Sequence, residues 1–179
     1  LWLERKIQLS YETVYRFILK NKQRGGKLYR YLRHQSKRYR KRYGKKDYRG
    51  KIPGRVDISE RPSVVDERSR VGDWEADLII GKDHKGAIVT LAERRSRLYL
   101  AIPIANKTKA LTSSAITTLL TAFKNFVHTI TYDNGREFNG QMDISEELDC
   151  TGFFARTYHS WERGLNENSN GLLRQYFPI

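Results

Sequence analysis

Disulfide chemistry is excluded at once, because the 179-residue chain has one cysteine, Cys150, and no partner for it. A reducing compartment and a buried, inert thiol is the matching expectation. Long apolar runs are missing as well. A membrane-spanning helix needs roughly 20 consecutive apolar residues, and the longest candidate, 110–123, is diluted by Thr and Ser. No N-terminal secretion signal is present, so a soluble, cytoplasmic protein with no membrane partner is expected. Acidic residues are almost absent from one stretch: between residues 22 and 51 there is only Asp47, against 14 Lys+Arg.

That absence gives the net charge of +14 its meaning. Residues 1–70 carry 22 Lys+Arg against 7 Asp+Glu, whereas residues 71–179 carry 12 against 13, so the whole excess lies in the N-terminal part. Tyr29, Tyr31, Tyr39, Tyr43 and Tyr48 interleave the basic stretch. A solvated charge run is the plain alternative. Phosphate binding is favoured, because each neutralised phosphate releases counterions and tyrosine rings pack against sugar or base. Lys37, Arg38, Arg40, Lys41, Arg42, Lys45 and Lys46 are the expected DNA contacts of this arm, and duplex and single-stranded partners stay equally open.

Ahead of the arm, Ser10 is placed to cap a short helix running to about Lys20, with Leu9 positioned to staple onto Val14. If this is the second helix of a helix-turn-helix, the first is mostly absent. Pro53, Gly54 and Pro62 then break any helix and read as a linker, with the domain boundary between about 55 and 70. The expected organisation is a partial DNA-binding remnant over 1–20, a basic arm and linker over 21–65, and one catalytic domain over 66–179.

Past the linker the pattern changes to strands. Residues 73–81 alternate weakly, while 86–92 and 98–104 are short apolar runs, together an antiparallel meander. Thr108 is placed to cap a helix with Leu111, Ala115, Leu119, Ala122, Phe123 and Phe126 inward. A β-branched strand over 127–132 stops at Asp133-Asn134-Gly135, a strong turn signal. A short helix near 144–149, a strand near 152–155 and a last helix over about 161–176 follow. On that helix Leu165, Leu172, Leu173 and Tyr176 are expected to face the core, while Arg163, Glu167, Asn170 and Arg174 share a polar stripe. The order predicts an α/β domain with a mixed five-stranded sheet and flanking helices.

Cutting and joining DNA requires in-line attack on a phosphodiester while charge develops on the leaving oxygen. Two divalent ions about 4 Å apart stabilise both oxygens, and hard cations such as Mg²⁺ call for converging carboxylates rather than Cys or His. The chain offers Asp77 inside the first strand, Asp133 at the exit of the fourth and Glu167 on the last helix. A carboxylate amid Ala76-Asp77-Leu78-Ile79-Ile80 is costly to desolvate without a compensating partner, so Asp77 is the most informative of the three. Taken singly, a water-facing edge residue is the lesser alternative for Asp77, a turn cap is an even one for Asp133, and a surface residue is the leading one for Glu167. Asp73, Glu75 and Glu137 read as turn or surface residues, with Glu137 the best placed to orient a metal ligand. His159, Arg163, Asn166, Asn170 and Arg174 surround the expected metal face and are candidates for holding phosphate oxygens.

The runs Gly72-Asp73-Trp74-Glu75-Ala76-Asp77-Leu78-Ile79-Ile80-Gly81, Thr129-Ile130-Thr131-Tyr132-Asp133-Asn134-Gly135-Arg136-Glu137-Phe138 and 161–178 closely resemble bacterial insertion-sequence transposases of the DDE type, in particular the insertion sequence thirty family. The 33 residues between Asp133 and Glu167 (134–166) match that family's final spacing. The resemblance implies a catalytic domain similar to retroviral integrase and ribonuclease H. It further implies Asp77, Asp133 and Glu167 as catalytic metal ligands, two Mg²⁺ or Mn²⁺ ions, transposon-end and target DNA as partners, and self-association. Members of that family begin with a complete helix-turn-helix and continue well beyond the glutamate with further helices, so by this resemblance the chain starts inside the former and reads as truncated. The expected function is therefore metal-dependent cleavage at transposon ends and strand transfer into target DNA. A non-catalytic nucleic-acid-binding protein, such as a repressor of transposition or a truncated relic, is the alternative.

Overall fold

The computed structural model describes residues 9–32, 52–156 and 159–177, in two compact units, Leu1–Lys46 and Asp47–Ile179. In the first, helix α1 (Tyr11–Gln23) begins where Ser10 predicts, with the Thr13 N–H donating to Ser10 Oγ at 3.2 Å. None of its residues is buried. A 3₁₀ turn, Leu28–Tyr31, follows, and the Lys22 ammonium lies 4.4 Å from the centre of the Tyr29 ring. The expected DNA contacts from Lys37 to Lys46 lie outside the described residues.

The second unit is built on a five-stranded sheet of order β3-β2-β1-β4-β5, from β1 (Asp73–Ile80), β2 (Ala87–Glu93), β3 (Tyr99–Ile104), β4 (Thr129–Tyr132) and β5 (Thr151–Phe154). The first three strands form the expected antiparallel meander, and β4 and β5 join in parallel beside β1. Helices α2 (Ser63–Glu67), α3 (Lys109–Leu120), α4 (Gln141–Leu148) and α5 (Gly164–Tyr176) complete the mixed α/β architecture.

Strand periodicity divides β1 between two faces. Trp74, Ala76 and Leu78 point one way. With Val89 and Leu91 of β2 and Ile130 and Tyr132 of β4, they form a core closed by Ala115, Ile116 and Leu120 of α3 and Ile144 and Leu148 of α4. Asp73, Glu75 and Asp77 point the other way, where Glu75 and Asp77 meet α5.

Two expectations are corrected here. The buried stripe of α3 is Thr112, Ala115, Ile116, Thr117 and Leu120, while Leu111 and Phe126 are exposed. Beyond Leu120 the chain tightens into 3₁₀ turns (Thr121–Phe126), so one α-helical period cannot be extended from residue 111 to residue 126. The Pro/Gly segment read as a linker is part of the second unit. Ile52, Ile58 and Val65 are buried, the Phe154 N–H donates to Val56 O at 2.9 Å, and Asp57 bridges Phe154 in parallel. Its prolines bend a chain that three apolar anchors tie to the sheet.

Gly72 sets the approach into β1. At φ 107°, an added Cβ would lie 1.8 Å from Phe126 O, so only glycine fits there. Among the described residues no helix is long and apolar enough to cross a membrane.

Candidate active site

Asp77 and Asp133 meet through the topology. The parallel pairing of β1 and β4 brings Asp73 opposite Thr129 and Glu75 opposite Thr131, so the two strands run the same way and carry Asp77 and Asp133 to the same end of the sheet. The Arg163 guanidinium spans them, with Nη1 3.3 Å from Asp77 Oδ1 and Nη2 4.0 Å from Asp133 Oδ2. Arg163 Nη1 also donates to Ala76 O at 3.2 Å. Asp77 is 21% exposed and Asp133 33%.

The electrostatics of the pair follow from that arrangement. Burial pushes the Asp77 carboxyl above the usual carboxylate range, Arg163 opposes it, and the like charge of Asp133 adds to the rise. The Leu78 N–H donates to Asp77 Oδ1 at 2.9 Å and the Asn170 amide to Oδ2 at 2.8 Å, which fixes the carboxylate's orientation. Asp133 accepts from the Gly135 N–H at 2.7 Å, so the local turn-capping role open to an Asp-Asn-Gly sequence is also realised. An open cleft of about 460 Å³ lies beside it, lined by Lys107, Lys109, Gly135, Arg136 and Glu137.

Glu167 sits in the first turn of α5, one turn beyond Arg163 on the same stripe, with its side chain exposed. Its carboxylate is not joined to the two aspartates. Among the described residues no group of three His, Cys, Asp or Glu side chains converges in a way that could hold a metal ion. Arg174 is exposed on the same helix, near enough to Tyr99 to act on it electrostatically.

The inward face of α5 overturns a second reading. Its buried residues are Asn166 and Asn170, whereas Leu172 and Tyr176 are exposed. The sheet beneath is polar, and amides satisfy it where leucines could not. The Asn166 N–H donates to Glu75 Oε2 at 2.9 Å, its Nδ2 to Glu75 O at 2.7 Å, and its Oδ1 accepts from the Thr90 hydroxyl at 3.1 Å. Asn170, expected at a DNA phosphate, is buried. Its Oδ1 accepts from the Tyr99 hydroxyl at 2.7 Å while its Nδ2 holds Asp77, so its amide serves the carboxylate. Arg163, expected at phosphate too, is turned toward the aspartates.

Asp73 and Glu75, read as turn or surface residues, are 1% and 0% exposed. Arg70 holds Asp73 through two hydrogen bonds of 2.9 and 3.0 Å, and the Thr129 hydroxyl adds a third at 2.8 Å. Arg94 pairs with Glu75 at 2.5 Å while its Nε donates to Val65 O at 3.0 Å. Buried charges survive only when paired in this way. The available signal was their spacing: with Asp77 they occupy alternate positions and so share one strand face.

The fold and this arrangement can be set beside known proteins. The chain is 48% identical over 176 residues to the transposase for insertion sequence element IS4351 of Bacteroides fragilis, which covers 98% of this chain and 54% of that protein. It is 38% identical over 133 residues to the transposase for IS1086 of Cupriavidus metallidurans, 74% of this chain and 39% of the relative. With the transposase InsI for IS30A of Escherichia coli K12 the identity is 32% over 149 residues, 82% of this chain and 39% of the relative. The chain thus spans about half the length of the first of these relatives, and less of the others. No protein-family model matches it. Among solved structures, a chain of the simian T-cell lymphotropic virus intasome in complex with PP2A regulatory subunit B56 gamma superposes with a TM-score of 0.52 at 19% identity, covering 59% of this chain and 39% of that one. The shared fold is the ribonuclease H-like α/β fold, with a mixed five-stranded sheet and flanking helices.

Proposed function

Likeness to insertion-sequence transposases runs through 98% of the chain for one relative and 82% for a member of the insertion sequence thirty family, and from that premise we propose that it supplies the catalytic core of a metal-dependent polynucleotidyl transferase. The reaction is cleavage of DNA at transposon ends followed by transfer of the 3′ hydroxyl into target DNA. The observation that carries the proposal is the convergence of Asp77 and Asp133 at one end of adjacent parallel strands, beneath the helix that carries Glu167.

The donor set suits a hard divalent ion. Both converging groups are carboxylates, and the Arg163 guanidinium reaches the two of them. Asp77 and Asp133 would hold two Mg²⁺ or Mn²⁺ ions, with Glu167 completing the set from α5. Bound there, the ions would offset the charge that develops on the attacking and leaving oxygens of the phosphodiester. Asn170 keeps one Asp77 oxygen oriented, and Asn166 docks the start of α5 on Glu75, which sets the height of Glu167 above the sheet. Lys107, Lys109 and Arg136 line the cleft beside Asp133, where a DNA phosphate would be neutralised. The basic arm and the exposed Arg174 are further DNA contacts in this reading, and self-association of the whole protein on paired ends goes with it.

Replacing Asp133→Asn is expected to abolish Mg²⁺-dependent cleavage of transposon-end DNA while leaving the affinity for that DNA largely intact; retained cleavage refutes the assignment. One observation favours a second reading, a non-catalytic nucleic-acid-binding protein: the exposed Glu167 lies apart from the two aspartates. Thermal melting with millimolar Mg²⁺ or Mn²⁺ separates the two, since a site filled in the folded state raises the melting temperature and an inert one does not.

A further inference from the structure

Arg163 has a place that neither the sequence pattern nor the proposed reaction assigns to it. Its guanidinium reaches Asp77 Oδ1 at 3.3 Å and Asp133 Oδ2 at 4.0 Å. These two carboxylate oxygens thus share one cation. The remaining Asp77 oxygen, Oδ2, accepts from Asn170 at 2.8 Å, and Asp133 Oδ1 accepts from the Gly135 N–H at 2.7 Å. Asp77 Oδ1 also accepts from the Leu78 N–H at 2.9 Å, so what the two side chains share is Arg163, and a cation held by both of them would occupy the place its guanidinium now takes.

We propose that Arg163 is a positioning residue, a tethered cation that holds Asp77 and Asp133 together and must leave their shared space when a divalent ion enters. This rests on the metal reading above and deepens it. Two like-charged carboxylates repel across a few ångströms of partly buried space, and one positive charge between them offsets that repulsion. A dication at the same place does so more strongly and excludes the guanidinium by both volume and charge.

The hold of Arg163 is suited to release. Neither ion-pair distance reaches the roughly 2.8 Å of a well-formed charged hydrogen bond, the hydrogen bond from Nη1 to Ala76 O is 3.2 Å, and Nε is buried with no hydrogen-bond partner. The backbone is held far more firmly. Three residues on, the Asn166 N–H donates to Glu75 at 2.9 Å and its side-chain amide to Glu75 O at 2.7 Å. The exchange is thus a rotation of one side chain on a docked helix, with α5 staying on the sheet. Arg163 and the divalent ion compete for one space, so each weakens the other's hold by the same factor.

Calorimetric titration of the full chain with MnCl₂ tests this. Arg163→Gln is expected to bind Mn²⁺ roughly tenfold more tightly than the parent, within the ordinary range for two competing ligands. Arg163→Lys, which keeps the charge, should stay near the parent, and Asp77→Asn should lose binding. Equal or weaker Mn²⁺ binding by Arg163→Gln, with binding still lost in Asp77→Asn, overturns the placeholder role and leaves the metal reading standing. No binding by parent or either Arg163 variant overturns both. Should Arg163→Gln not fold, the parent chain suffices. The NMR signal of the Arg163 Nε–H, identified by its absence from Arg163→Lys, should move on adding MgCl₂. If it stays in place while the Leu78 and Gly135 amide signals shift, the proposal is wrong.

Discussion

The two faces of the sheet are made by the same strands and held by different physics. On one, Ala76, Leu78, Val89, Leu91 and Ile130 meet Ile116 and Leu120 of α3, and apolar area removed from water does the stabilising. On the other, Asp73, Glu75, Thr90, Thr129 and Thr131 are just as buried, and hydrogen bonds and ion pairs hold them. The apolar face tolerates approximate shape. The polar face is far less tolerant of a lost counter-charge, because a buried charge without one loses solvation and gains nothing. A site that must present carboxylates to an ion gains from that second kind of rigidity, since hydrogen bonds fix direction where apolar contacts fix only distance.

The sharpest way to break the contrast is to remove one partner on the polar face. Arg94→Met leaves Glu75 buried and uncompensated, and about 4 kcal/mol of stability is expected to be lost in urea unfolding. Restoring apolar balance with Glu75→Leu in the same chain should recover most of it. If the single change costs no more than a surface substitution, the polar face is not held as described. Across the sheet, Ile116→Ala should cost about 3 kcal/mol through the cavity it opens, with no second substitution needed to explain the loss.

A smaller effect separates two carboxylates of opposite tuning. Burial pushes Glu93 up, but hydrogen bonds from the Ser96 hydroxyl and N–H, at 2.5 Å each, and from the Arg95 and Gly72 N–H groups pull it below its ordinary 4.5. Its contribution is present at pH above 4.5 and is lost as acid protonates it through the lower folded value. Asp77 has the opposite sign. Its folded value lies above the ordinary 3.8, so its ionised form opposes folding at neutral pH, and acidification through the raised value relieves that cost. Thermal melting at neutral pH should therefore show Glu93→Gln less stable than the parent and Asp77→Asn more stable by about 2 °C. The gain in Asp77→Asn should vanish on approaching pH 4. A destabilised Asp77→Asn at neutral pH would mean that Arg163 and Asn170 more than compensate the buried charge.

Much of this was legible in the residues. Asp77 stands out as a charge inside an apolar strand and Asp133 as the residue where a β-branched run stops, and the one lies within β1 while the other directly follows β4. The meander and the helix caps at Ser10 and Thr108 follow from local pattern. Asp73 and Glu75 were misread because charge argues for the surface, and their partners Arg70, Arg94 and Asn166 come from elements that periodicity cannot pair. The last helix was read by its leucines, yet it docks by its asparagines.

By itself the sequence determined which residues share a face, because a strand repeats every two residues and a helix every 3.6 whatever surrounds them. It determined equally that three acids of the right kind exist and that all the excess positive charge precedes residue 71. Only the tertiary structure decided what covers each face. Whether a side chain is inward depends on the chemistry of the opposing surface, and the polar floor of Glu75, Asp77 and Thr90 selects Asn166, Asn170 and Arg163 over the leucines of the same helix.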